Sequence, residues 1–182
     1  MKFIEQKIPG VWSIEAEPII DQRGRFRRHF CQKEFEARGI ETGIVQTNIS
    51  ENIEPFTLRG FHYQMKPFEE SKTISCPTGA IHCVVVDLRP ESETFLKWMG
   101  TNLTSENMIS LHIPSGCANA YLTLEKNTMI LYYMSEFYSP DFYTGFRYND
   151  PLFGIEWPTE PKVISERDQN LPDFDPNLLK TK

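Results

Sequence analysis

Proline and glycine interrupt this chain at short intervals and leave no room for long helices. The 182 residues include 13 prolines and 10 glycines, and the runs between them are rich in Val, Ile, Thr, Phe and Tyr, which favour extended strands. Thr78-Gly79 further predicts a hairpin turn. The predicted strands are residues 43–50, 57–64, 71–76, 80–88, 95–103, 108–113, 118–124 and 128–135.

So many strands around one core predict an all-β sandwich or barrel. Helix signals are confined to residues 32–38, which end at Gly39, and to a turn at residues 104–107. Neither segment is long enough to alternate with strands in βαβ units, which excludes a doubly wound nucleotide-binding fold. The chain has no repeat and no linker, so we predict one domain over residues 1–182, with the polar tail after Pro158 wrapped around the outside.

The overall charge limits the possible partners. The formal net charge is −6 and the pI is about 5.3, so the protein repels nucleic acid and anionic membranes, and a bound anion must meet a local basic cluster. No run approaches the roughly 18 apolar residues of a membrane span, and Glu5 and Lys7 interrupt the apolar start before a signal-peptide core can form. We expect a cytoplasmic protein without nucleic-acid or membrane partners, and its four cysteines are expected to be reduced.

A metal site is the first chemistry to consider, because residues 111–121 (LHIPSGCANAY) look like one strand junction of a cupin-type jelly roll. Metal-binding cupins gather three imidazoles and a carboxylate from two such strands. The equivalent positions here hold Asn119 and the run His62-Tyr63-Gln64. One imidazole and a poorly ligating amide cannot hold a transition metal, so we predict no bound metal.

His62 is the candidate base. Strand alternation puts Gly60, His62 and Gln64 on one face, and a polar inward face is costly unless it forms a site. A lone buried His is more commonly a structural group with one hydrogen bond. Lys72 and Tyr132 on neighbouring predicted strands favour a site, because an imidazole, an ammonium and a phenol together can remove a C–H proton, stabilise the enolate and return a proton.

At this point the chain resembles a known family, the dTDP-4-dehydrorhamnose 3,5-epimerases, which act on nucleotide-linked 4-keto-6-deoxy sugars. The order and spacing of the shared motifs hold from about residue 20 to residue 170. These motifs are DQRGRFRRHF (21–30, like the family's D-x-R-G-x-F), QTNIS (46–50), LRGFHYQ (58–64), Lys72, residues 79–89, residues 113–120, residues 132–140, NDP (149–151), IEWP (155–158) and SERD (165–168).

The resemblance implies a cupin-type jelly-roll barrel with one or two short helices, a homodimer and no cofactor. It also assigns four catalytic roles. These are His62 as the base, Asp168 as the carboxylate that orients it, Tyr132 as the opposing acid and Lys72 as the group that stabilises the enolate.

Substrate contacts are carried over in the same way. The resemblance implies Arg23 and Arg59 as diphosphate contacts, and it places Phe26 and Tyr138 where the family stacks the nucleobase. Further contacts with the substrate are expected from Gln46, Asn48 and Asn119.

Two departures from the family pattern affect specificity. Asn119 stands where the family has a His; it can hydrogen-bond a sugar oxygen but cannot carry a proton, which leaves open whether C3, C5 or both are inverted. Arg28 stands where the family has Glu, and alternation places it on the face of Phe26 and Phe30. A guanidinium suits acceptors on cytosine or guanine, and Thr47, where the family commonly has Asp, favours the same interpretation. Alternatively, Arg28 belongs to a solvated basic rim.

We therefore predict a cofactor-independent epimerase of a nucleoside-diphospho-4-keto-6-deoxyhexose, with dTDP, CDP or GDP as the nucleotide. The product would be a deoxysugar for a surface polysaccharide or a glycosylated product. Two alternatives remain at this point: a metal-free 3,4-keto-isomerase of the same substrate class, and a non-catalytic cupin that binds sugar nucleotides. His82, His112 and Cys117 are expected to be structural.

Overall fold

The structure is a computed structural model that describes residues 1–180, and it confirms an all-β jelly roll with two short helices. The elements in chain order are β1 (Lys2–Glu5), β2 (Trp12–Glu15), β3 (Ile19–Asp21), β4 (Gly24–Phe26), α1 (Gln32–Glu36), β5 (Gln46–Asn52), β6 (Thr57–Gln64), β7 (Lys72–Thr78), β8 (Ala80–Asp87), β9 (Trp98–Thr104), β10 (Ile109–Ile113), β11 (Cys117–Thr123), β12 (Thr128–Met134), β13 (Tyr143–Gly145), β14 (Val163–Ile164), α2 (Glu166–Gln169) and a final 3-10 helix (Pro176–Lys180). No helix in this part of the chain is long and apolar enough to cross a membrane.

The strands form two large sheets. The first has the order β1-β2-β10-β7-β12-β5, and the second has the order β13-β6-β11-β8-β9 with β14 added parallel to β6. All the other pairings in the two sheets are antiparallel. Within residues 1–180, strands β3 and β4 pair only with each other and form a separate hairpin.

The prediction of a hairpin at Thr78-Gly79 is wrong. The turn is tight, as expected, but β7 belongs to the first sheet and β8 to the second. Gly79 has a φ of +79°, and a Cβ there would lie 2.3 Å from the Thr128 hydroxyl oxygen. The local sequence therefore determines the turn, whereas pairing with distant strands determines which sheet each flanking strand joins.

The main core lies between the two sheets. It contains buried side chains from both of them, including Ile74 and Ile130 from the first sheet and Ile81, Val85 and Leu103 from the second. The second sheet is also covered on its outer face, which explains why β8 reads as a nearly continuous apolar run, AIHCVVVD.

The outer cover comes from the segments after β12. Phe146, Phe153 and Phe174 pack with Phe61 of β6 in a second buried cluster. The polar tail after Pro158 thus wraps around the outside as predicted, and it also supplies β14 and α2, which lie against β6. The proximity of α2 to β6 is what places Asp168 at the site.

The predicted strands match eight of the observed ones with small shifts at their ends. The run at 43–50 forms β5 at Gln46–Asn52, and the helix at 32–38 stops at Glu36. The unpredicted strands are two to four residues long, and β3 and β4 are fully exposed. Segments this short show too little alternation of apolar and polar residues to be read from sequence.

Candidate active site

A polar cavity of about 560 Å³ opens between the two sheets. The predicted site residues that line it are Gln46, Asn48, Arg59, His62, Lys72, Asn119, Tyr132, Tyr138 and Asp168, and the unpredicted ones are Ser50, Glu70, Tyr121, Met134, Tyr143, Ser165 and Arg167. The structure therefore brings together the four proposed catalytic side chains.

The cavity has two walls, one from each sheet. On the first, the register pairs Tyr132 with both Ile74 and Asn48, and Met134 with Lys72. Lys72 is thus diagonal to Tyr132 on the same face. On the second wall, Asn119 pairs directly with His62. Tyr132 and His62 consequently approach the cavity from facing sheets.

A β-bulge in β6 brings Arg59 and His62 to the same cavity. The register between β6 and β11 shifts by one residue, because Asn119 faces His62 whereas Tyr121 faces Arg59. Gly60 occupies the bulge with a φ of +105°, and a Cβ there would lie 2.6 Å from the Asn119 carbonyl oxygen. The bulge therefore breaks the predicted alternation between Gly60 and His62, whereas His62 and Gln64 keep an unshifted register with Gly145 and Tyr143 of β13. Strict alternation does not continue through a bulge.

Gln64 has a structural task at the end of the same strand. Its Nε2 donates to the carbonyl oxygens of Phe68 and Phe137, at 2.8 and 3.2 Å, and its Oε1 accepts from the Ser139 N–H at 2.7 Å. These bonds hold the segment that carries Tyr138 against the end of β6, so Gln64 acts on the cavity only through that segment.

Asp168 binds His62 and the backbone of the bulge at once. Its Oδ1 lies 2.8 Å from His62 Nε2, and its Oδ2 accepts from the Gly60 N–H at 3.1 Å. Burial alone would raise the pKa of Asp168. The hydrogen bond from His62, the positive charge that His62 can carry and the hydrogen bond from the Gly60 N–H outweigh burial, so the pKa of Asp168 lies below its ordinary value. An ionised Asp168 accepts a hydrogen bond from a protonated Nε2 of His62, which leaves the Nδ1 lone pair of His62 free to act as a base.

The position of Asp168 is fixed by the start of α2. Ser165 caps this helix, since its hydroxyl oxygen accepts a hydrogen bond from the Asp168 N–H at 3.1 Å. Strand β14, immediately before the cap, pairs Ile164 with Leu58 of β6. In the SERD motif, the capping Ser165 and the carboxylate of Asp168 are therefore one helical turn apart, and both lie beside the bulge.

Lys72 forms a buried ion pair that the sequence analysis missed. Its Nζ lies 2.8 Å from Oε1 of Glu70, and both side chains are about 5% exposed or less. The ammonium reaches the cavity at the beginning of β7. A carboxylate two residues before a predicted catalytic lysine is a weak sequence signal, because charged residues two apart on a strand are common at surfaces.

Tyr143 and Arg167 complete the second wall. The Tyr143 ring lies 5.3 Å from the His62 ring, and the Arg167 guanidinium lies 4.7 Å from the Tyr143 ring centre. Burial raises the pKa of the Tyr143 phenol, so this group stays protonated. Arg167 adjoins Asp168 in the SERD motif and could have been suspected from it, whereas no local pattern pointed to Tyr143.

Three predicted binding residues lie outside this cavity. Arg23 is 85% exposed and its Nε donates to Asp21 Oδ2 at 3.1 Å, and Phe26 is 73% exposed on the β3–β4 hairpin. Arg28 is exposed and donates to Glu34 at 2.7 Å. Phe26, Arg28 and Phe30 line a second cavity at the base of the hairpin, but His29 lines it as well and β4 ends at Phe26, so strand alternation does not produce this grouping. Within one subunit, Arg23, Phe26 and Arg28 therefore do not line the cavity that holds His62.

The remaining candidates have structural surroundings. His112 is buried against the Thr73 hydroxyl at 3.0 Å, and burial lowers its pKa to about 4. His82 bonds to Asn102 at 2.7 Å. Burial raises the pKa of the Cys117 thiol to about 12, which makes it a poor nucleophile. Among residues 1–180 no cluster of His, Cys, Asp and Glu could hold a metal ion, and all four cysteines are free thiols.

Comparisons with known proteins agree on one family. The family description of dTDP-4-dehydrorhamnose 3,5-epimerase matches residues 5–176. A relative of that name from Shigella flexneri is 37% identical over 171 residues, which cover 93% of this chain and 94% of the relative.

Solved structures of similar proteins agree in fold along nearly the whole chain. The dTDP-4-dehydrorhamnose 3,5-epimerase from Bacillus anthracis str. Ames, with TDP and PPi bound, has a TM-score of 0.92 at 35% identity and covers 95% of this chain and 99% of its own. The dTDP-6-deoxy-D-glucose-3,5-epimerase from Legionella pneumophila Philadelphia 1, in complex with dTDP-4-keto-L-rhamnose, has a TM-score of 0.90 at 32% identity, covering 98% and 94%.

The buried pair of Glu70 and Lys72 yields a prediction about stability. Replacing either partner alone, as Glu70→Leu or Lys72→Met, should lower the free energy of unfolding by about 3 kcal/mol, because it leaves one charge buried without its counter-charge. The double variant should recover most of that loss. Urea unfolding of the four proteins measures both effects, and additive losses in the double variant would show that the two groups do not act as a pair.

Proposed function

Because the chain belongs to the dTDP-4-dehydrorhamnose 3,5-epimerase family, we propose that it inverts C3 and C5 of a dTDP-4-keto-6-deoxyhexose by removing and returning protons next to the ketone. The reaction is a step of deoxysugar biosynthesis and needs no group beyond the side chains of the cavity. The family assigns the enzyme class, and the arrangement of His62, Lys72 and Tyr132 supports a mechanism in this chain.

His62 is the base in this mechanism. Protons on C3 and C5 are weakly acidic because the C4 ketone can take up the negative charge, so their removal near pH 7 needs a base in contact with them. With its Nε2–H donating a hydrogen bond to Asp168, His62 takes the proton from carbon at Nδ1. The imidazolium that forms is then stabilised by the ionised carboxylate 2.8 Å away.

Lys72 stabilises the enolate and Tyr132 completes the inversion. The Lys72 ammonium supplies positive charge for the developing O4 oxyanion, and Glu70 holds it in position. Inversion requires the new proton to arrive on the opposite face of the sugar from the one removed. Tyr132 meets this need because it projects from the facing sheet.

The His62–Asp168 pair across from Tyr132 is the observation that carries the proposal. A non-catalytic binding module gains nothing from an oriented base on one wall and a phenol on the other. Membership of a 3,5-epimerase family favours inversion over migration of the carbonyl between C3 and C4. Asn119, directly beside His62, donates or accepts a hydrogen bond at a sugar oxygen.

Isotope exchange tests the reaction and the roles of the dyad. Incubation of dTDP-4-keto-6-deoxyglucose with the protein in heavy water should introduce deuterium at C3 and C5, read by NMR, together with inversion at both carbons. His62→Asn and Asp168→Asn should each lower the rate by a factor of about 10² to 10⁴, since they remove the base or its orienting charge.

Two outcomes would contradict this scheme. Absence of label with the unaltered protein would reject the proposed function, whereas label at a single carbon would restrict it to that centre. Exchange at the unaltered rate in folded His62→Asn protein would reject His62 as the base. Thermal unfolding of each variant serves as the control for folding.

We also propose thymine as the base of the nucleotide. The Bacillus anthracis relative binds TDP, and Arg28, whose charge suggested cytosine or guanine, is engaged by Glu34 in this structure.

The nucleotide preference can be measured by thermal shift with thymidine, uridine, cytidine and guanosine diphosphates. A ligand that binds only the native state stabilises it in proportion to RT ln(1 + [L]/Kd), so thymidine diphosphate should give the largest rise in Tm at equal concentration. A larger rise with the cytidine or guanosine compound would instead restore Arg28 as a base-reading residue.

We further propose that the enzyme is a homodimer in which the β3–β4 hairpin of one copy contributes to the cavity of the other. The hairpin pairs with no other strand of the described chain, and Ile19, Ile20 and Phe26 on it are each about 70% exposed. Isolated two-stranded hairpins with large exposed apolar side chains are marginal in water. A second copy would cover them and bring Arg23 and Phe26 to the substrate.

Mixing two inactive variants tests this arrangement. The Arg23→Ala/Phe26→Ala protein has an intact cavity but a defective hairpin. The His62→Asn protein has an intact hairpin but a defective cavity. After unfolding and refolding together, about a quarter of the original activity should return, since half of the dimers are mixed and each has one intact site. Each variant refolded alone is the control. No gain on mixing would show that a hairpin does not serve the partner's cavity.

A further inference from the structure

Glu70 carries a buried oxygen atom whose hydrogen-bonding capacity is unused. Among residues 1–180, its Oε1 is the single buried side-chain nitrogen or oxygen without a hydrogen-bond partner. The side chain is 4% exposed and lines the substrate cavity. Buried polar atoms in native proteins nearly always have a hydrogen-bond partner, so an exception on the wall of a cavity indicates a place for a group of the ligand.

The ion pair with Lys72 does not supply the missing hydrogen bond. Lys72 Nζ lies 2.8 Å from Glu70 Oε1, which is an ion-pair distance, but the contact lacks hydrogen-bond geometry. A carboxylate at this place also reduces the positive charge that Lys72 offers to an enolate. Holding Lys72 in position is therefore a costly use of Glu70, and the carboxylate needs a further explanation.

The start of β7 directs both charged groups toward the substrate. Glu70 and Lys72 are two residues apart, as alternation along a strand requires for side chains on one face, and both line the cavity. Ser71 between them does not line it, and its hydroxyl donates to Glu41 Oε2 at 3.1 Å. The cavity wall therefore presents a hydrogen-bond donor and an acceptor side by side.

A 4-keto-6-deoxyhexose carries a complementary pair of groups. Its C4 ketone oxygen accepts hydrogen bonds, and in the proposed mechanism it lies at the Lys72 ammonium. Of the two carbons next to C4, only C3 bears a hydroxyl, because C5 bears the methyl group and the ring oxygen. The oxygens on C3 and C4 are separated by roughly the length of a hydrogen bond. An acceptor beside Lys72 therefore matches the C3 hydroxyl.

We propose that Glu70 is a specificity-determining residue that accepts a hydrogen bond from the C3 hydroxyl of the sugar while Lys72 binds the C4 ketone oxygen. This inference rests on the proposed function and applies to the substrate as it binds, before C3 is inverted. A sugar without this hydroxyl leaves the buried carboxylate without a hydrogen-bond donor. The site therefore discriminates against 3-deoxy sugars.

The test removes the hydroxyl from the sugar and the charge from the protein in turn. The substrates are dTDP-4-keto-6-deoxyglucose and its 3-deoxy analogue, and the readout is kcat/KM for deuterium uptake at C5, a carbon that both sugars retain. The unaltered enzyme should prefer the hydroxylated sugar at least about tenfold, because the analogue loses a hydrogen bond to a buried charged group. Glu70→Gln offers a neutral acceptor of the same shape and should reduce this preference severalfold.

Glu69→Gln is the matched control. It removes the same charge from the preceding residue, which is only partly buried and does not line the cavity, so the preference should equal that of the unaltered enzyme. The 2-deoxy analogue is the control on the substrate, because Glu70→Gln should not alter its rate relative to the parent sugar. Thermal unfolding shows whether each variant folds. If Glu70→Gln does not fold, the preference of the unaltered enzyme still tests the inference.

Two results would overturn the inference. The first is an equal kcat/KM for the parent sugar and the 3-deoxy analogue in the unaltered enzyme. The second is a folded Glu70→Gln enzyme in which both sugars react more slowly by the same factor, because Glu70 would then only position Lys72. Absence of deuterium uptake from either sugar in the unaltered protein would instead reject the proposed function itself, so the two failures are distinguishable.

Discussion

The Asp168 carboxylate is the single group on which the geometry of the site depends, because its two oxygens join three separate parts of the chain. One oxygen binds the His62 imidazole and the other accepts the Gly60 N–H of the bulge, while Ser165 fixes the backbone that carries it. The C-terminal segment is therefore part of the catalytic wall, although it lies after the last long strand. Without this bridge the imidazole would lose both its orientation and the anion that stabilises its charged form.

An acidic protein must concentrate positive charge locally to bind a diphosphate. The cavity does so because it contains more cations than carboxylates that pair with them. The net charge of the chain is −6, yet three cations line the cavity beside two carboxylates. Each carboxylate is engaged, Glu70 by Lys72 and Asp168 by His62. Arg59 instead bonds to an amide and Arg167 lies over an aromatic ring. The charge of these two guanidinium groups is thus available to an anionic ligand.

The sequence predicts the long strands well, and it identifies candidate site residues that the structure brings together, because both leave local marks. Alternating apolar residues between glycines and prolines mark the eight long strands, and the motifs LRGFHYQ and SERD carry His62 and Asp168. Features that depend on pairing between distant segments cannot be predicted from the local sequence. The Thr78-Gly79 turn was mistaken for a hairpin, and the bulge at Gly60, which joins Arg59 to His62, is defined only by the register of β11. The resemblance assigns Arg23 and Phe26 to the substrate, and a departure from the family pattern assigns Arg28, but neither predicts that these side chains lie outside the cavity of their own subunit.

Strand β11 shows how the bulge in β6 arranges one wall of the cavity. Asn119 and Tyr121 are two residues apart, both line the cavity, and the bulge sets them opposite His62 and Arg59. An amide at 119 removes from this wall a group that could exchange protons near the base. The phenol at 121 instead bonds to Ser50 of the first sheet at 2.9 Å, which joins the two walls of the cavity. The proposed base on this wall is therefore His62 with its partner Asp168, whereas the proposed acid, Tyr132, is positioned by the strand pairings of the facing sheet.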